Sequence, residues 1–124
     1  MSALGAFCTQ LVSFLEDLCE TYPEEKDIQV ATQAIKMAKQ ANPRMVHTYF
    51  MDFVYNEFAP HILNEDEDYI IKRAKEMLDS QYSNFGYAFW IFDKHWGTMS
   101  TTNKQHVWDY IKSIVLLAQR VPLA

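Results

Sequence analysis

The stretch ANPRMVHTYFMDFVYNEF, residues 41–58, decides the reading of this chain. Asn42 followed by Pro43 marks a helix start. The asparagine side chain can accept from an unpaired backbone N–H, and proline suits the first helical position, where no N–H is needed. Beyond it come Met45, Val46, Tyr49, Phe50, Met51, Phe53, Val54, Tyr55 and Phe58 in one run. At about 100° per residue the apolar arc is broad, roughly 200°. It passes through Tyr49, Phe53, Val46, Phe50, Val54, Phe58 and Met51, with Arg44, Thr48, Asp52 and Asn56 opposite. An ordinary surface helix shows a narrower stripe. The arc therefore predicts a central, aromatic-rich helix packed by neighbours on two sides.

Working outward, the same reasoning places helices on either side. Leu4, Phe7, Leu11, Phe14 and Leu18 recur at steps of three and four, broadened by Leu15, and predict a first helix over about residues 3–20 with Ser2 as its cap. Glu16, Asp17 and Glu20 crowd its C-terminal turn, where the helix dipole disfavours anions. TYPEEKD, residues 21–27, is a break and a new start: Pro23 fits a first helical turn, and Glu24, Glu25 and Asp27 suit the positive end of the dipole. The second helix then reaches about Gln40 with Ile28, Ala31, Ile35 and Ala38 inward. Pro60 ends or kinks the third helix, and Asn64 in NEDED is the candidate cap of a fourth. That helix carries Tyr69, Ile70, Ala74, Met77 and Leu78 inward. A fifth spans about residues 85–96, closed by Gly97 in a left-handed C-cap. Ser100 or Thr101 opens a sixth that runs to about Arg120, its stripe made of Val107, Trp108, Ile111, Ile114, Val115 and Ala118. The expected fold is all-α: one domain, residues 1–124, a compact bundle of about five or six short helices.

Composition narrows the function classes. The chain is 49 % hydrophobic and 15 % aromatic, which points away from disorder, and 3 Gly with 4 Pro are too few to punctuate a many-stranded β protein. A net charge of −5 argues against nucleic-acid backbone or an anionic membrane as the main partner. The N-terminal stretch has no basic region of a signal peptide, and no run reaches the roughly 18 apolar residues of a membrane span. Cys8 and Cys19 lie in one helix roughly 16 Å apart along its axis, beyond disulfide reach, so free thiols in a reducing compartment are expected. These features place the protein in the cytoplasm or nucleus.

No residue grouping supports catalysis. There is no HExxH, CxxC, phosphate loop or nucleophile elbow. NEDED lacks the glycine and the final glutamate of a calcium loop. Asp93 and His95 point about 200° apart on a helix. The expectation is a non-enzymatic protein with no cofactor and no metal. The alternative is a small-molecule- or metal-binding bundle, with His47 near Glu57 and His61, the last two spaced i, i+4. A nucleic-acid-associated factor would use two small basic groups: Lys36, Lys39 and Arg44, and Lys72, Arg73 and Lys75.

Helix five suggests a partner surface. Phe85, Phe89, Phe92 and Trp96 share one face, while Tyr87, Trp90 and Ile91 lie away from it. Two apolar faces on one helix are hard to bury in so small a domain, and exposed Tyr and Trp are typical of interface hot spots. Tyr87, Trp90, Ile91 and Trp96 are thus the expected docking residues for a protein partner or a second copy of the chain.

Three segments, FLEDLCETYPEEKD (14–27), KQANPRMV (39–46) and MSTTNKQHVWDYIKSIVLLA (99–118), resemble in order and spacing small helical proteins of unassigned activity encoded by large DNA viruses of algae and protists. The matching positions are Tyr22-Pro23, Lys39 to Arg44, Asn103-Lys104, and Trp108 with Tyr110. The resemblance implies a viral structural or accessory role, in a host cell or virion, and brings no catalytic residues with it.

Overall fold

The computed structural model describes residues 2–78 and 94–122, and every regular element among them is helical. In order they are α1 (Ala3–Thr21), α2 (Lys26–Ala41), α3 (Pro43–Phe50), a π-helical turn (Met51–Tyr55), α4 (Asn56–Leu63), α5 (Glu67–Leu78) and α6 (Thr101–Arg120). Residues 94–96 form a further helical piece. The fifth helix of the sequence reading lies outside the described residues except for these three, as do the side chains of Ala74, Met77 and Leu78.

Short polar side chains fix three of the starts. Ser2 accepts from the Gly5 N–H at 3.0 Å, Asn42 from Met45 at 3.3 Å with Pro43 behind it, and Ser100 from Asn103 at 3.1 Å. Each satisfies one backbone donor that a helix leaves unpaired.

α6 organises the interior. Its 20 residues span about 30 Å, and its stripe divides between two apolar clusters. Ile114 and Ala118 meet Phe7 and Cys8 of α1, Val46 of α3, and Val121. Val107, Trp108 and Val115 meet Phe58, Ala59 and Ile62 of α4, Ile70 of α5, and Trp96. Phe14, Phe50 and Tyr55 border both clusters and join them. Full burial of a side chain such as Phe7 or Ile114 contributes about 1.5–3 kcal/mol.

The run that opened the sequence reading departs from a single straight helix. The Asn56 N–H reaches back to the Met51 carbonyl, a five-residue step that widens one turn. A helical wheel drawn at constant pitch loses register beyond such a turn. Val46 before the turn and Phe58 beyond it are buried, but Met45 and Tyr49, on the regular helix before the turn, are exposed. Pro60 does not end the helix either. It sits inside α4, which continues to Leu63.

Three other starts and stops differ from expectation. Asn64 closes α4 instead of opening α5. The cap of α5 is Asp66, whose carboxylate accepts from the Tyr69 N–H. Between them Glu65 takes a positive φ of 53°, a strained backbone for a side-chain-bearing residue, held by an ion pair from Lys112 of α6. α2 begins at Lys26, beyond Pro23, with Glu25 at the N-cap position and no side-chain capping bond. Gly97 does not adopt a left-handed conformation, since no described glycine has positive φ. The chain instead leaves residues 94–96 through a turn in which Thr98 and Met99 donate to the His95 and Trp96 carbonyls.

The acids at the end of α1 also find partners. Lys36 of α2 pairs with Glu16 at 3.0 Å, and Asp17 lies near the Tyr110 phenol of α6.

Candidate functional site

A polar grouping forms where the α1–α2 turn meets residues 94–96. Tyr22 closes α1 by donating its N–H to the Leu18 carbonyl, and Glu25 takes the N-cap position of α2 in extended backbone. A glutamate is a poor cap, and its side chain makes no capping bond. It reaches across instead to accept from Lys94 Nζ at 2.8 Å and His95 Nε2 at 2.7 Å. The residue is only 9 % exposed. Hydrogen bonds from Lys94, and then from His95, hold its carboxyl below the usual glutamate range. The Tyr22 ring stacks on the His95 imidazole with centroids 4.0 Å apart, fixing the plane of that ring. Glu24, exposed beside Glu25, brings a second carboxylate: one donor atom each from Glu24, Glu25 and His95 lies within 4.8 Å of the others.

Tyr22 also lines a half-open cavity of about 250 Å³ between the C-terminal half of α1 and the N-terminal half of α6. Phe14, Leu18, Met99, Val107 and Tyr110 supply its apolar surface, with Asp17, Glu20, Thr21, Asn103 and His106 among its polar groups. Burial, reinforced by the Asp17 carboxylate, pushes the Tyr110 phenol up. The cavity and the Glu25–His95 pair thus share one aromatic wall.

Of the expected docking residues, Tyr87, Trp90 and Ile91 lie outside the described residues. Trp96 corrects its expectation. It is 2 % exposed, edge-on to Trp108 with centroids 5.4 Å apart, and its indole N–H donates to Glu67 of α5. α5 and α6 close over it and make it core.

The alternative ligand set does not assemble among the described residues. His47 is buried against α6, its Nε2 3.0 Å from the Ala118 carbonyl and its ring edge-on to Phe7. Glu57 and His61 do share a face of α4, but each has its own partner. Arg73 holds Glu57, and His61 lies 3.1 Å from the Asp66 carboxylate. Tyr69 stands between them, its hydroxyl on Glu57 and its ring stacked on His61 at 3.5 Å.

Cys8 and three of the basic residues are similarly engaged. Cys8 is buried, with its thiol directed to the Pro43 carbonyl. That burial pushes its pKa up and suppresses the thiolate a nucleophile requires. Lys36 pairs with Glu16, Arg44 donates to the Pro122 carbonyl, and Arg73 bridges Glu57 and Glu76.

Sequence reasoning missed the Glu25–His95 contact because its members are 70 positions apart. The signal present was a glutamate where Ser, Thr, Asp or Asn is preferred as a cap. Among the described residues no helix is long and apolar enough to cross a membrane. No known family, curated protein or solved structure matches the chain.

Proposed function

We propose that this protein is a non-enzymatic helical interaction module that docks a protein partner, or a second copy of itself, through an apolar surface on α2 and α3. The observation that carries this reading is the outer face of α2. Val30, Ala34, Met37 and Ala41 recur at steps of four, three and four, and all four are exposed, Val30 at 66 % and Met37 at 69 %. Exposed Met45 and Tyr49 add to the surface from α3, with Tyr49 stacked on Phe53. The inner stripe of α2, with Ile35 and Ala38 against the core, is a separate set. A helix that carries apolar residues on its solvent face as well as its buried one offers the desolvation gain on which helix-in-groove recognition rests.

In this reading the aromatic run 43–58, expected as the central helix of a compact bundle, serves on one side as core and on the other as docking surface. Viral accessory proteins of the kind the three segments resemble would use such a surface in the host cytoplasm or nucleus. The test is light scattering across a concentration series, with a pull-down against host extract, for wild type and for the Val30→Lys/Met37→Lys double variant. Association lost in the variant supports the reading. A wild type that stays monomeric and captures nothing, or a variant that associates unchanged, removes it.

A further inference from the structure

We propose that Glu24, Glu25 and His95 form a binding site for a divalent metal ion that takes mixed nitrogen and oxygen donors, Zn²⁺ in the first place. Three donor atoms from separate side chains lie within 4.8 Å of one another. At metal–ligand distances of about 2.0–2.2 Å, donors around a tetrahedral ion stand roughly 3.4 Å apart. Glu24 is exposed, and Glu25 and His95 are already in contact at 2.7 Å. One imidazole and two carboxylates make a donor set that suits zinc.

Two neighbours support the assignment. The Lys94 ammonium, 2.8 Å from Glu25, shows that a cation is favoured at this point. Its side chain is half exposed while that of Glu25 is 12 % exposed. The metal would take over from the ammonium in neutralising the enclosed carboxylate. The Tyr22 ring stacked on His95 holds the imidazole plane, the orienting role that outer-shell groups play around metal ligands. The start of α2 opposes a cation through its dipole, and two carboxylate charges outweigh that partial charge. On binding, Nε2 exchanges its bond to Glu25 for one to the metal, and the neutral ring keeps its single proton on Nδ1. The bound ion would clamp the α1–α2 turn to residues 94–96.

The experiment is calorimetric titration of the untagged full chain with zinc chloride at neutral pH, for wild type, Glu24→Gln, His95→Ala and Lys94→Met. The expected result is one equivalent bound by wild type, weakened about tenfold or more in Glu24→Gln and His95→Ala and strengthened in Lys94→Met, where the competing ammonium is gone. Glu24 is exposed on a turn, so its variant retains the fold even where His95→Ala does not, and circular dichroism checks both. Absence of saturable binding by wild type overturns the proposal. So does equal affinity in folded Glu24→Gln, which would place the zinc on a cysteine or another histidine.

Discussion

Around the C-terminal half of α6, Ile114, Ala118 and Val121 meet Phe7, Cys8 and Val46, and the polar group enclosed with them is His47, bonded to the Ala118 carbonyl. Around its N-terminal half, Val107 and Trp108 meet α4, α5 and Trp96, but charged pairs surround that cluster: Glu67 with Lys104, Glu65 with Lys112, Arg73 with Glu57 and Glu76, His61 with Asp66. The first region depends on filled volume, which salt leaves alone. The second adds surface charges that salt screens. One helix therefore joins a region governed by packing to a region tuned by solution conditions.

The largest expected effect lies in the packed region. Phe7→Ala removes a fully buried ring at the α1–α6 contact and should cost about 3–5 kcal/mol in urea unfolding, nearly the same in low and high salt. A loss below about 1 kcal/mol would mean that this seam does not hold the fold. Next, His47→Leu keeps the site apolar but deletes its bond to the Ala118 carbonyl, and about 1 kcal/mol should be lost. Hydrogen exchange should show the increase at α6 residues 114–118 before α5.

A third place, the α1–α2 turn, responds to pH. Because Lys94 and His95 lower the Glu25 pKa, its contribution is complete above the ordinary glutamate value of about 4.3 and is lost as pH falls through the lower folded value. Glu25→Gln should therefore flatten the acid limb of the stability curve below about pH 4.3 while wild type still falls. Parallel acid limbs would show that the pair adds nothing. The smallest effect belongs to Val30→Lys with Met37→Lys. Both sites are exposed, so stability should move by no more than about 0.5 kcal/mol, while association is lost.

Much of the fold was legible because some signals are local. Ser2, Asn42 with Pro43, and Ser100 each cap within three residues, and the α6 stripe follows from period alone. The misreadings had tertiary causes. Asn64 looked like a cap, but it closes α4, Glu65 follows in a strained turn paired with Lys112, 47 positions beyond Glu65, and Asp66 is the cap. Pro60 read as an end or a kink, and the helix runs through it to Leu63. Trp96 looked like a docking ring because nothing local announces Glu67 or Trp108. The metal-ligand candidates fared worst, since His47, Glu57 and His61 each found partners only the folded chain supplies.

Both apolar clusters take one wall from residues 107–118, which the ribosome adds after every other described helix. Neither cluster can close on a nascent chain that has not yet exposed α6, however complete α1 to α5 already are. A chain stalled at residue 100 should therefore be as protease-sensitive as an unfolded one, with its aromatic run open to chaperones. Folding of this protein would then be timed by the emergence of a single helix.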